Sequence, residues 1–309
     1  MEGAVITVGT FDGLHQGHRA ILQQLRTIAG EKGLPGIAYT FAFPPRHAIG
    51  EPLRKSPSPP CLLLPQSAKR KLLAEYVDRV ESADFAVLKQ LSAEQFIHEV
   101  LLERFAARTI VVGESFRFGR DREGNASLLS RIGDEYGFNV VAVPMVIVDR
   151  APVSSSRIRS LIQTGQVQQA TPLLGRPPLL VGDVVAGDRL GRRLGYPTAN
   201  LELDPTLLSP AEGIYLVHAF WKKKRSAGLL YLGTRPTLKT NVARCEVYLL
   251  SAPETELYGE RMEVHLHQRL RDDQVFPSLE ALRRQVDHDV ARARSLLLSY
   301  EEDVEPILA

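Results

Sequence analysis

Apolar positions divide the chain into two kinds of territory. In the first half, short β-branched runs alternate with stretches in which apolar residues recur every three or four positions. Val5-Ile6-Thr7-Val8 predicts a strand, and Ile21, Leu22, Leu25 and Ile28 predict the helix that follows it. Gly36–Phe41 reads as a second strand, residues 69–80 as a helix and 84–88 as a strand. Ser92-x-x-Gln95 has the form of a capping box and opens another helix. Thr109–Gly113 is a fully apolar strand, Ser127–Tyr136 a helix, and Val140–Val143 a further buried strand. Seven prolines between Pro44 and Pro65 predict a long loop, the kind that serves as a functional flap. Strands separated by helices of this length imply right-handed crossovers and a doubly wound parallel sheet.

The pattern changes after Leu174-Gly175-Arg176-Pro177-Pro178, which reads as a linker between domains at 1–175 and 176–309. Glycine or proline then recurs at short intervals between β-type runs such as Ile214–Val217, Cys245–Leu250 and the alternating Met262–Leu266. That spacing predicts a small antiparallel barrel or sandwich. Leu279, Leu282, Val286 and Val290 predict a closing helix.

Length agrees with two domains, since 309 residues exceed one ordinary core. A net charge of +2, from 38 basic and 36 acidic residues, provides no global field for nucleic acid or an anionic membrane. A phosphate site must come from local placement. Cys61 and Cys245 are far apart and form no C-x-x-C pair, which argues against a disulfide framework or thiolate zinc site and fits a reducing, cytoplasmic setting. No basic leader precedes the first strand, and no apolar run approaches a membrane span. The chain contains neither G-x-G-x-x-G nor G-x-x-x-x-G-K-[ST], so a dinucleotide-binding or P-loop site has no support.

Local chemistry concentrates first at Gly9-Thr10-Phe11-Asp12-Gly13-Leu14-His15-Gln16-Gly17-His18, between the first strand and its helix. A helix N-terminus at the carboxyl edge of a parallel sheet offers free N–H groups to a phosphate. His15 and His18 add donors there, and Gly13 and Gly17 admit close backbone approach. Two later segments converge on the same edge. Phe116-Arg117-Phe118, continuing to Asn125, suits a planar ring carrying a phosphate, whereas Ser154-Ser155-Ser156-Arg157-Ile158-Arg159 places arginines in a helix's first turn. Cations there run against the macrodipole, and a shared phosphate removes the conflict.

In the second half, Gly187, Gly191, Gly195 and Tyr196 lead into Pro197-Thr198-Ala199-Asn200. A glycine loop lets main-chain N–H groups cradle phosphates, and Thr198 and Asn200 offer hard oxygens to Mg²⁺. Glu246 stands on a β-type run, and His265, His267 and His288 read as surface or barrel-face residues.

The form G-x-F-D-G-x-H-x-G-H, with G-x-x-F-R-F-G and S-S-[ST]-R-I-R in order after it, resembles bacterial FAD synthetases across the whole N-terminal half. G-x-P-T-A-N, followed in order by Gly233-x-Arg235-Pro236-Thr237, Glu246, Leu257-Tyr258-Gly259 and Arg271-Asp272-Asp273-x-x-Phe276, resembles riboflavin kinases. The resemblance implies a bifunctional enzyme of small-molecule substrates. Its barrel would phosphorylate riboflavin with ATP, using Mg²⁺ at Thr198 and Asn200, Glu246 as base and Arg271 near the flavin. Its N-terminal domain would adenylylate FMN to FAD, with His15, His18 and Arg157 stabilising charge and Gly9, Thr10, Phe11, Asp12, Ser154, Ser155, Ser156 and Arg159 around the ATP phosphates. Phe116, Arg117, Phe118 and Asn125 would hold the flavin. The chain departs from this family at Ala42-Phe43-Pro44-Pro45, where an acidic residue and a histidine are usual, at Thr10 for asparagine, at Tyr231 for asparagine and at Asp273 for glutamate. Those departures leave two alternatives open: a protein with one half impaired, kept as a kinase alone or a flavin-binding regulator, or a transferase for another small phosphate. Oligomeric state is not legible.

Overall fold

The computed structural model describes residues 3–42, 61–188, 190–234, 243–251, 256–297, 299–300 and 305–308. They form two compact units, Met1–Ser155 and Ser156–Ala309.

The first unit is built on β1 (Ala4–Gly9), β2 (Gly36–Phe41), β3 (Arg79–Ala83), β4 (Ala107–Gly113) and β7 (Asn139–Val143), all parallel, in the order β3-β2-β1-β4-β7. Two-residue pairs β5 (Arg117–Phe118) with β6 (Gly124–Asn125), and β8 (Ile147–Val148) with β9 (Ala151–Pro152), decorate it. The chain winds from β1 outward to β3 and then returns beside β1 as β4. The strand order therefore reverses at β1, the place where open α/β sheets bind ligands. Helix α1 (Gln16–Lys32) buries Leu22, Leu25, Ile28 and Ala29, and closes on Gly33 in the left-handed conformation at φ 62°. Core residues Ile6, Val8, Ile37, Tyr39, Ile110 and Val112 alternate along the central strands and pack on Phe96, Ile97 and Leu101.

Three elements differ from the sequence expectation. Helix α2 (Gln66–Ala74) is shorter than the apolar spacing suggests, and the strand forms at Arg79–Ala83 rather than at 84–88. Asp84 explains the second difference: its carboxylate accepts from Ala86 N at 2.8 Å and caps a helical turn, Phe85–Leu88. Val140–Val143 lies on the sheet edge and is half-buried or exposed rather than buried. The capping box forms, with Ser92 Oγ accepting from Gln95 N and Gln95 Oε1 accepting from Ser92 N. Residues 43–60, most of the proline-rich loop, lie outside the described residues.

The second unit is a closed antiparallel barrel, β10-β11-β14-β13-β12-β15. Its strands are β10 (Leu179–Val185), β11 (Thr198–Leu203), β12 (Gly213–Trp221), β13 (Lys224–Thr234), β14 (Ala243–Leu249) and β15 (Arg261–Arg271). Alternation fixes the two faces. Tyr215, Val217, Leu230, Leu232, Cys245, Val247, Met262 and Val264 fill the lumen. Ile214, Leu216, Leu229 and Leu270 face outward and are covered by Val290 and Ala293 of the C-terminal helix Leu279–Leu297.

Candidate active sites

The turn after β1 is held in an uncommon conformation. Phe11 and Leu14 adopt φ 47° and 38° without being glycine, and Gly13 lies between them at φ 82°. Both apolar side chains are buried, so packing fixes a backbone that is intrinsically strained. Its main chain is tied on several sides. Thr40 Oγ1 donates to Thr10 O at 3.2 Å, and Ser155 Oγ donates to Asp12 O at 3.0 Å. The carboxylate of Asp12, buried, accepts from Leu63 N at 3.0 Å, which makes it a brace of the turn toward the segment entering α2.

His15 is the N-cap of α1, its Nδ1 accepting from His18 N at 3.4 Å. The two imidazoles stack at 3.6 Å between centroids, and Phe11 meets His18 edge-on at 5.3 Å. Burial, then the neighbouring His15 and Lys69, hold the His18 pKa well below the usual imidazole value. The ring is therefore neutral at pH 7. Its Nδ1 is buried without a hydrogen-bond partner, an orphan group of the kind a bound ligand satisfies. Gly17 stands against this pair, since a Cβ there would lie 3.3 Å from the His15 ring. A Cβ at Gly9 would likewise lie 3.1 Å from the Phe11 ring.

The other N-terminal candidates divide. Phe118 is a core side chain, packed 5.5 Å from Phe96 and stacked on Phe116 at 5.4 Å; it supports its loop rather than offering a free face. Asn125 caps the helix Ala126–Tyr136, its Oδ1 accepting from Leu128 N at 2.9 Å. Phe116 is half-buried, and Arg117 is exposed beside it, donating to Phe116 O at 2.9 Å. Ser154, half-buried, precedes the helix Ser155–Gln163, in which Ser156 is exposed, Arg157 half-buried and Arg159 buried.

In the second unit a cavity of about 530 Å³ opens on the outer face of the barrel, a volume within the range of small-molecule sites. Thr198, Tyr231, Glu246, Tyr248, Arg271 and Asp273 line it. Glu246 alternates with the lumen residues Cys245 and Val247, and so points outward into the cavity. Its carboxylate is buried and accepts from Thr198 Oγ1 at 3.0 Å. Asn200 pairs with Glu246 across β11 and β14. The Asn200 amide also abuts Gly187, where a Cβ would lie 2.1 Å from Nδ2. Gly191 is equally confined: a Cβ there would lie 2.3 Å from Tyr196 O. Between Gly187 and Gly195 the expected loop contains one helical turn, Leu190–Leu194, and Gly195 exits it at φ 91°. The set of Thr198 hydroxyl, Asn200 amide oxygen and Glu246 carboxylate is all hard oxygen, which fits Mg²⁺.

Several partners carried no sequence signal. Arg244 pairs with Asp188 at 2.6 Å and reaches Glu246 at 3.8 Å. Tyr231 OH donates to Asp273 Oδ2 at 3.1 Å, so two departures from the family pattern bond to one another. Arg271 is held by Asp289 through Nε at 2.9 Å and Nη2 at 2.8 Å, and lies 5.8 Å from the Phe276 ring centre. Tyr196 OH donates to Asp287 and its ring meets Tyr248 at 5.2 Å. Of the two expectations for His265 and His267, surface or barrel face, the second holds, since they alternate with Val264 and Leu266 along β15, but that face is covered. The two histidines are 2% and 4% exposed, with Phe220 against the His265 ring and Tyr300 against the His267 ring; Ile307 N and Leu308 N donate to the Glu263 carboxylate, which also bonds His265 Nε2 at 2.5 Å. His218 Nδ1 lies 2.8 Å from His267 Nε2. His288 is exposed, as expected. Arg235, Pro236 and Thr237 lie outside the described residues.

Comparison with known proteins assigns both halves. Residues 1–157 match the FAD synthetase family and residues 174–297 the riboflavin kinase family. A bifunctional riboflavin kinase/FMN adenylyltransferase of Pseudomonas fluorescens is 38% identical over 96% of this chain and 93% of its own length. A protein of that description from Escherichia coli strain K12 is 36% identical over 95% and 92%. A solved chain titled a macrolide-efflux protein from Streptococcus pneumoniae matches with a TM-score of 0.86 at 31% identity, covering 95% of this chain and 94% of that one. With two families matched in the order in which the two sites occur, and relatives aligned along nearly the whole length, the chain belongs to the bifunctional riboflavin kinase/FMN adenylyltransferase family.

Proposed function

We propose that the barrel cavity carries the riboflavin kinase activity through Glu246, Thr198 and Asn200, and that the turn after β1 carries FMN adenylylation through His15, His18 and the N-terminus of α1. The substrates of the two activities are riboflavin, FMN and ATP, and FAD is the final product. The observation that carries the residue assignment is the buried Glu246 carboxylate in a cavity of ligand size, accepting from Thr198 on the neighbouring strand.

In the barrel, Glu246 accepts the proton of the ribityl 5′-hydroxyl as its oxygen attacks the γ-phosphate of ATP. ADP leaves, and the hydroxyl oxygen acquires the phosphoryl group. A base in this role contributes about 10²–10⁴-fold, provided it lies within hydrogen-bond reach on a rigid element, as a strand of a closed barrel is. Thr198 orients the carboxylate, and Gly187, Gly191, Gly195 and Tyr196 shape the loop that takes the nucleotide. Mg²⁺, bound at the Thr198 and Asn200 oxygens, would neutralise charge on the phosphates. Arg271, fixed by Asp289, borders the flavin end of the cavity.

In the N-terminal unit, an FMN phosphate oxygen attacks the α-phosphate of a second ATP and pyrophosphate leaves. The attacking oxygen is already an anion, so no enzyme nucleophile is needed and alignment with charge stabilisation is the protein's task. His18 donates from a neutral ring, its tautomer set by which nitrogen faces the phosphate. Gly9, Thr10, Phe11, Asp12, Gly13 and Gly17 form the close-fitting turn, and Ser154 and Ser155, the last residues of this unit, supply hydroxyls to the phosphates. Phe116 and Arg117 accept the flavin end, with Phe118 and Asn125 holding their loop.

No helix among the described residues is long and apolar enough to cross a membrane. Together with two free cysteines this supports a place in the cytoplasm.

Separating the products of riboflavin, ATP and Mg²⁺ tests the assignment. The unaltered chain forms FMN and then FAD. His18→Ala accumulates FMN without FAD, while Glu246→Gln forms no FMN from riboflavin yet converts supplied FMN to FAD. Loss of both riboflavin phosphorylation and the conversion of supplied FMN in either variant, or of neither, refutes the division of labour.

A further inference from the structure

One buried cation has no role in the account above. Lys69, on α2, is 3% exposed, a rare state for a lysine. Its ammonium donates to two main-chain oxygens, Phe41 O and Thr10 O, the latter at 3.3 Å. Those carbonyls stand at the carboxyl ends of β2 and β1, on the edge where the His15–His18 pair lies. Thr10 O is the same atom that receives Thr40 Oγ1. The groups facing the ammonium are Asp12 in the turn, which favours its charge, and His18 on α1, whose charged form it disfavours; β2 presents the Phe41 carbonyl.

Carbonyl oxygens at a strand's carboxyl end carry partial negative charge and repel a polyphosphate. An ammonium lodged against two of them turns that repulsion into net attraction and at the same time fixes the turn. We propose that Lys69 is a positioning residue for adenylyl transfer, clamping Thr10 and Phe41 so that the turn after β1 accepts the ATP triphosphate. It acts through the backbone rather than by touching substrate. This inference rests on the assignment of FMN adenylylation to that turn.

Burial brings the Lys69 pKa down from its usual value to about 8, with Asp12 opposing the shift. The clamp is charged below that pH and is lost as pH rises through it. In the full-length protein, KM for ATP in FMN adenylylation should rise about tenfold per pH unit above pH 8. Lys69→Met should raise that KM at least about tenfold at pH 7, remove the break near pH 8 and change kcat less, because its loss weakens ATP binding before it touches the chemistry. Lys69→Arg should hold KM flat to pH 9.5, since a guanidinium stays charged. Riboflavin phosphorylation in the same samples should be unchanged.

A Lys69→Met variant with the parental KM, or one that keeps the break near pH 8, overturns the proposal. If the methionine variant fails to fold, the arginine profile decides, and a break near pH 8 there overturns it equally. His18→Ala separates the two levels. FAD formation surviving that change removes the adenylylation assignment itself, whereas its loss alongside an unaffected Lys69→Met removes only the clamp.

Discussion

Replacing Gly187 with alanine should disable the kinase while leaving the barrel folded. The new Cβ would stand 2.1 Å from Asn200 Nδ2, 2.3 Å from Cγ and 2.5 Å from Oδ1, where ordinary contact begins at 3.4 Å. The amide must therefore retreat by about 1.3 Å, the difference between the first and last of those distances. Because the obstacle is the end of a side chain rather than backbone, relief comes from an off-rotamer χ at about 0.5–1.5 kcal/mol. Alanine's smaller unfolded-state freedom returns about 0.4–1 kcal/mol. Net destabilisation is thus at most about 1 kcal/mol, a Tm shift of about 2–4 °C for a domain of this size. A reacting or ligating group misplaced by about 1 Å costs on the order of 10²-fold in rate, about 2.7 kcal/mol of transition-state stabilisation. FMN production from riboflavin, followed over a Mg²⁺ titration, should fall on that order and recover in part at high Mg²⁺. Conversion of supplied FMN to FAD should stay within about twofold in the same preparation, since its site lies in the other unit. An unchanged kinase rate would show that Asn200 is not a ligand. A rate loss with a Tm drop well beyond 4 °C would show that Gly187 matters for folding instead.

Other perturbations follow from the same geometry. Burial depresses His218 to about 4 and His267 to about 3, with like charges of neighbouring groups adding to the effect. The unfolded chain binds those protons below pH 6.5 and the folded one does not, so stability should fall with pH from 6.5 toward 4, by up to about 1.4 kcal/mol per unit for each ring. Urea unfolding between pH 7 and 5 measures this, and His267→Gln should flatten the slope. Asp289→Ala leaves the Arg271 cation beside the cavity without its carboxylate partner, which should cost about 3–5 kcal/mol in chemical unfolding and raise KM for riboflavin more than KM for ATP. Tyr231→Phe removes the only hydroxyl that the Tyr231 ring brings to Asp273, and should raise KM for riboflavin with the FMN adenylylation rate unchanged.

The two folds and the two motif-bearing turns were legible because each rests on local chemistry. A β-branched run, a glycine-rich turn and a 3.6-residue period lie together in the chain at β1 and α1, and alternation along β14 assigns Glu246 to the outer face without reference to anything distant. What alternation cannot say is what covers that face. Glu263, His265 and His267 have the spacing of solvent-facing residues, yet they are buried: Ile307 and Leu308 return from the far end of the sequence to donate to Glu263, Phe220 packs on His265, and His218 and Tyr300 pack on His267. Asn125 and Phe118 show the opposite side of that limit: their residue types suit a flavin, and in the fold Asn125 also caps a helix and Phe118 also packs on Phe96.

Lys69 is the sharper case of the same limit. It lies far along the chain from the turn it braces, in a helix whose pattern of apolar positions treats it as one more polar residue, and its partners are carbonyl oxygens that every residue possesses. A side chain that acts on backbone leaves no complementary residue type to search for. The Tyr231–Asp273 bond has the complementary property, since each residue departs from the family pattern when read alone and the two satisfy each other when brought together. Substitutions in such a site are therefore to be weighed as pairs across the barrel. Tyr231 lies on β13 and Asp273 just beyond the end of β15, two strands that β12 separates in the sheet, so no register along neighbouring strands would have joined them; the cavity does.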